Sequence, residues 1–356
     1  MTLLECQAPN VRGYCAYASS TYGLVDAVIA DIYDRPGYSQ QVLRTYKSLS
    51  YGDWMYMPID KGEHVEDIWV VEFDEGGNAL MVSFLARVLH TQNHDNAWFR
   101  YSADVVGFKL VTNLGRTSML GRMVNFENKA RPKFFRIFSR SCGPTSQLYL
   151  GDTEYNLHAS TIEAIGIDKN LKRIPRNDVY SFVRRIKPEW DPYPPTLTPS
   201  AAKWPPNPGL IYFNKCRLED VSHITCCVNQ DHAHRPIVGM MLHYRGGRRA
   251  CVGQYRHDWV VQPPLVVADA ESMPLIITMY RDCDYDEYVQ DQNIKGIYIM
   301  AASVGGAHVQ SAGAGELKGT HVWKTLRIPW FGWLEWWFSN VVHYNSRSFF
   351  HVAHVG

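Results

Sequence analysis

Five tryptophans, Trp323, Trp330, Trp333, Trp336 and Trp337, fall within 15 residues, beside Phe331 and Phe338. Indole faces stack on sugar rings and on flat or polyene metabolites, and the indole N–H donates a hydrogen bond. Such a cluster can line an apolar pocket. It can equally be ordinary core, because tryptophan is largely buried on average. Trp330, Trp333, Trp336 and Trp337 are the candidate ligand contacts of this stretch.

Histidines supply the second candidate chemistry. Cys226-Cys227 precedes His232-Ala-His234 by a few residues. An H-x-H pair on a strand points both rings to one face, as a metal site on a β-wall needs. The carboxylate that would complete the set is missing, since Arg235-Pro236-Ile237 follows, and Asp231–Pro236 reads as a polar loop. His232 therefore stands as a ligand contact, together with His257 and Asp258, and no metal site is expected. The acidic run from Asp282 to Asp291 lacks the central Gly and final Glu of a calcium loop. Gly313-Ala-Gly315-x3-Gly319 misses the dinucleotide fingerprint by one position. Walker A, H-E-x-x-H and G-x-S-x-G patterns are absent, and Cys142 in Ser-Cys-Gly-Pro has no identifiable base. No catalytic residue can be named, and no cofactor is expected.

The elements that must position these groups are strands. Val105–Arg122 (VVGFKLVTNLGRTSMLGR) and Ile237–Gln254 (IVGMMLHYRGGRRACVGQ) align without a gap at an offset of 132. They share Val106/Val238, Gly107/Gly239, Leu110/Leu242, Gly115/Gly247, Arg116/Arg248 and Gly121/Gly253. An internal repeat changes the reading of the whole fold. Each copy alternates apolar residues, turns at Asn113-Leu-Gly115 or Arg245-Gly-Gly247, and returns as a second strand. That is the pattern of a β-hairpin. Weaker echoes flank the hairpins at Val65–Val70, Thr161–Ile167, Leu218–Ile224 and Asn293–Ile299. The stretches Tyr14–Tyr46 and Trp323–His351 supply further strands, and Val25–Tyr33 reads as strand rather than helix. A duplicated position such as Arg116/Arg248 suits a structural role. His232, His243, His257 and Asp258 belong to one half alone and suit a unique site better.

Eight of the 21 residues from Pro188 to Pro208 are proline. Proline removes backbone donors and favours extended chain, so this stretch reads as a semi-rigid connector. Asn177–Lys187 before it has the signature of a short helix. The expected organisation is a first β domain over 1–187, the connector over 188–208 and a second β domain over 209–356. Both are expected to be prism- or sandwich-like, with little helix.

The 356 residues are 46% hydrophobic and 20% charged, which is globular rather than disordered composition. A net charge of +1 provides no field to draw in nucleic acid or an anionic membrane. The first residues carry no basic-then-apolar signal pattern, and no apolar run approaches a membrane span. Eight cysteines in 356 residues, with no C-x-x-C pair, read as reduced thiols in a cytoplasmic protein.

The pattern Ile237-Val-Gly239-Met-Met-Leu-His-Tyr244-Arg-Gly-Gly247 resembles the strand repeat of jacalin-like β-prism lectins. Four further stretches, Pro58–Trp69, Thr112–Gly121, Gly247–Arg256 and Leu334–Ser339, resemble a large group of uncharacterised filamentous-fungal proteins. That resemblance spans most of residues 50–345. In that group such segments often follow an F-box. No F-box-like helical segment stands at this N-terminus, so an adaptor role is not expected. A jacalin-type sugar loop is of the G-x-x-x-D kind. Gly332-Trp-Leu-Glu335 is one residue short, with Glu for Asp, so the lectin expectation rests on likeness of fold.

The first expectation is an intracellular lectin-like or small-ligand-binding protein. Its Trp-rich pocket would lie near the domain junction and take a carbohydrate or a small apolar metabolite. The alternative is a cofactor-free cyclase or isomerase of fungal secondary metabolism, holding its substrate in an apolar β-walled cavity. A third reading makes the Trp-rich stretch a protein-binding surface.

Overall fold

In a computed structural model the described residues are 2–4, 10–19, 25–32, 46, 52–73, 107–121, 132–139, 148–151, 163–166, 212–231, 235–268, 273–284, 293–305, 307–310, 320–341 and 347–355. The proline-rich connector, the 177–187 helix, Cys142, His232, His234 and the 313–319 glycines lie outside them. Within them the chain is almost entirely β-strand in several sheets. Val25–Ile32 is a strand, as its residues indicated. Two compact units form: Met1–Ala18, Gly23–Ser39 and Lys61–Gly209 make the first, and Ser19–Tyr22, Gln40–Asp60 and Leu210–Gly356 the second.

The first unit holds β1 (Thr2–Leu4), β2 (Val11–Ser19) and β3 (Val25–Ile32), and β4 (Gly52–Pro58) belongs to the second unit. Strands β5 (Val65–Phe73), β6 (Gly107–Thr112), β7 (Thr117–Gly121) and β8 (Pro132–Ser139) form an antiparallel sheet in the order β7-β6-β5-β8. β1 pairs with β9 (Leu148–Gly151), which pairs with β10 (Glu163–Gly166).

The second unit is built on a twelve-stranded sheet. Its strands are β11 (Tyr212–Arg217), β12 (Val221–Val228), β13 (Ile237–Tyr244), β14 (Arg249–Gly253), β15 (Val260–Val261), β16 (Leu265–Val266), β17 (Leu275–Asp284), β18 (Asn293–Val304), β19 (Ala307–Gln310), β20 (Thr320–Ile328), β21 (Trp333–Val341) and β22 (Arg347–Val355). The main path runs β11-β21-β22-β18-β13-β12-β15. β14 adds to β13, and β17 links β18 to β20. β18 and β22 are parallel; the other pairs of this sheet are antiparallel.

β6–β7 and β13–β14 share a register and a turn. Gly107 faces Gly121 and Gly239 faces Gly253. Thr112 N–H donates to Arg116 O at 2.9 Å, as Tyr244 N–H does to Arg248 O. Gly115 (φ 72°) and Gly247 (φ 80°) turn the chain in the left-handed region that glycine enters without strain. The preceding strand also matches. β5 pairs β6 with a bulge after Val65, and β12 pairs β13 with a bulge after Val221.

Glycine sets the close packing of the second hairpin. A methyl on Gly253 (φ 74°) would sit 2.3 Å from Val238 O and 2.9 Å from the Trp336 ring. Asn214 on β11 brackets the same residue. Its side-chain oxygen accepts from Gly253 N–H at 2.8 Å, and its amide donates to Gly253 O at 3.3 Å. β14 thus lies beside β11, and the fully buried Trp336 fills the space left by the missing side chain.

Candidate functional site

Residues directly opposite in a ladder share a face of the sheet. The registers therefore place Val266, His223, His243 and Arg249 in one row across β16, β12, β13 and β14. Thr225, Met241 and Cys251 form the next row on that face. His223, Thr225, His243 and Arg249 are half-buried, and Val266 is 58% exposed. This face is polar and half-buried at its centre, apolar and exposed at its β16 edge, and buried at Met241 and Cys251.

The two imidazoles stack with ring centroids 4.1 Å apart and planes within 11°. Ser222 Oγ donates to His243 O at 2.8 Å and lies 3.0 Å from His223 Nδ1. A hydroxyl has one hydrogen. Ser222 has spent it on the carbonyl, so it accepts from His223 Nδ1–H. Thr225 Oγ1 lies 3.4 Å from His243 Nε2 and also hydrogen-bonds the Tyr255 phenol. Burial, then the neighbouring His223 and Arg249, depress His243 to about 4, with Asp60 opposing. His243 is neutral at pH 7. Arg249 itself is occupied: its Nε and backbone N–H each donate to Asp60 at 3.1 Å.

Aromatic rings continue this face. Tyr255 stacks on Tyr56 of β4 at 5.7 Å, and His257 meets the two rings edge-on at 5.6 and 4.8 Å. His257, expected as a ligand contact, is exposed at this rim. Asp258 is placed differently. Its carboxylate takes a bidentate grip from Arg256 at 2.9 and 2.6 Å. The Arg256 guanidinium is buried over Trp259 at 4.4 Å, Tyr46 at 5.0 Å and Trp54 at 5.9 Å. Gln254 beside it donates to buried Asp53 at 2.7 Å and accepts from Trp54 N–H at 3.3 Å. Asp258 thus belongs to a buried network that ties segment 40–60 to the strand end after β14.

The tryptophans divide between the two faces of β21. Trp336 and Trp337 are buried, and Trp330 is buried with its N–H on Met273 O at 2.7 Å. Trp337 packs on Phe213 at 4.1 Å. Trp333 is half-buried beneath Lys215 at 4.9 Å and Arg217 at 5.4 Å. Of the four candidate tryptophans, Trp333 keeps the most access to solvent. A half-open groove of about 440 Å³ lies between residues 262–265 and 307–310, away from these rings.

The described cysteines Cys15, Cys216, Cys226, Cys227 and Cys251 are buried free thiols. Burial pushes Cys226 and Cys227 up to about 12, which removes the thiolate a nucleophile needs. Among the described residues, no helix is long and apolar enough to cross a membrane.

Sequence reading singled out His243 and His257 but missed His223, Thr225, Tyr56 and Tyr255. The available signal was the alternation of β12 and β13, which needs a register before it can pair residues. No protein-family model matches the chain, and comparison with curated proteins returns no match.

Proposed function

We propose that this is a lectin-like binding protein that takes a small hydroxyl-rich ligand on the His223–His243 face of its second unit. One observation carries the reading. Thr225 and two imidazoles form a half-exposed polar patch, flanked by exposed Val266 on one side and by exposed His257, backed by the buried Tyr255 and Tyr56 rings, on the other. Hydroxyls and neutral imidazoles both donate and accept, as sugar hydroxyls do. The exposed Val266 and His257 side chains suit the C–H faces of a sugar ring. The buried state of Trp330, Trp336 and Trp337 favours this face over a tryptophan-lined pocket. The matched hairpins and their bulged neighbours support a further part of the proposal, that the chain arose by internal duplication. A cytoplasmic location belongs to the same reading, and the five buried free thiols agree with a reducing compartment.

The test is calorimetric titration with a panel of mono- and oligosaccharides. Saturable binding that falls in Thr225→Val and His257→Ala, and persists in Trp333→Ala, supports the site. Binding lost only in Trp333→Ala would move it to β21. Silence towards every sugar, with turnover of an apolar metabolite detected by mass spectrometry, would replace the proposal with the cofactor-free enzyme.

A further inference from the structure

The His223–His243 pair has a second capacity. The two residues are directly opposite on adjacent strands, where Cβ atoms are about 4.5–5.5 Å apart. Two imidazole nitrogens can reach one ion from that separation, at roughly 2.0–2.1 Å each. We propose that this pair binds a divalent transition cation, with copper(II) preferred.

Three features support it. Ser222 accepts from His223 Nδ1–H and donates to His243 O, which puts the ring proton on Nδ1 and makes Nε2 the ligating nitrogen of His223. A hydrogen-bonded second ring nitrogen that fixes the tautomer is the usual support of a metal-ligating histidine. The two imidazoles already lie side by side, 4.1 Å apart between centroids. Access and charge also fit. Both rings are half-buried rather than sealed off, and Arg249, directly opposite His243, is paired with Asp60.

In the stack the rings lie parallel, so converging on an ion requires His243 to rotate about Cβ–Cγ, a soft two-fold torsion, while Ser222 holds His223. No group of three His, Cys, Asp or Glu side chains gathers among the described residues, so the ion would keep water in its other positions. Two imidazoles with open water sites favour copper(II) over nickel(II) and zinc(II) by the general affinity order.

The inference needs only the two rings and stands apart from the sugar reading, so the probe is the metal alone. Untagged protein is titrated with Cu²⁺ and Zn²⁺ by calorimetry, and the Cu²⁺ form is examined by electron paramagnetic resonance. The tightest Cu²⁺ site should show coupling to two imidazole nitrogens. His223→Ala and His243→Ala should each weaken it by more than about tenfold, because the loss of an outer-shell partner alone costs roughly 10–100-fold. His257→Ala and His308→Ala should leave it unchanged. Equal affinity in the His223→Ala/His243→Ala double variant overturns the proposal. If a variant fails to fold, the spectrum of the unaltered protein decides: one coupled nitrogen, or none, overturns it.

Discussion

His243 couples the sheet face to pH. Its ordinary value near 6.5 falls to about 4 in the fold, because burial and the charges of His223 and Arg249 disfavour the imidazolium more than Asp60 favours it. The unfolded chain therefore binds this proton more readily between those two values. Stability contributed by the neutral ring is fully present above about 6.5 and is lost as pH falls towards 4. Thermal unfolding should show Tm falling across that window, and His243→Gln should flatten part of the slope. An NMR titration that placed the His243 ring near 6.5 would refute the coupling. Arg256 makes a second residue-scale case. Its side chain is 5% exposed and that of Asp258 16% exposed. Arg256→Ala leaves Asp258 without its partner, and breaking a buried pair in this way costs about 3–5 kcal/mol. Arg256→Lys keeps the charge but loses the fork and the flat face over Trp259. Urea denaturation should rank the stabilities as the unaltered protein above Lys above Ala.

The second hairpin admits no side chain at its paired glycines. A methyl on Gly239 would lie 2.0 Å from Gln254 O, so backbone must move to admit it. Gly239→Ala should therefore cost more than the roughly 1–3 kcal/mol of ordinary overpacking. A urea denaturation midpoint shifted by no more than that range would show that the hairpin yields easily. The hairpins themselves were legible in the sequence, since period-two alternation and a left-handed glycine define a local structure. The histidine face was not. His223 and His243 meet only through a register interrupted by a bulge between Val221 and His223. A bulge changes which side chains share a face. The tryptophans were ambiguous for another reason. Trp333 and Trp337 lie on one face of β21, Leu334, Trp336 and Phe338 on the other, and both faces are largely buried. A strand buried on both sides loses the alternation that would tell pocket from core.

At the scale of the chain, the second unit draws on residues that precede the first unit's main sheet. Segment 40–60 belongs with residues 210–356. That membership rests on contacts some 200 positions apart in sequence, which no local pattern encodes: Gln254 with Asp53 and Trp54, Arg256 with Tyr46, Arg249 with Asp60. A fragment of residues 210–356 would keep the twelve-stranded sheet and lose all of these partners together. Arg249 and Gln254 would face solvent or lie buried unpaired, and Arg256 would lose two of the three rings around it. Tyr255 would also lose the Tyr56 ring. Leaving buried polar groups unmatched costs about 1–3 kcal/mol each, more for charged groups. Several at once are comparable to the 5–15 kcal/mol that holds a typical domain together. The fragment should therefore show a weakened near-UV circular dichroism signal and rapid cleavage after Arg249 or Arg256 by trypsin. A synthetic peptide of residues 40–60 added in trans should slow that cleavage. A fragment as protease-resistant as the full chain, with or without the peptide, would show that the sheet is self-sufficient and that segment 40–60 only decorates it.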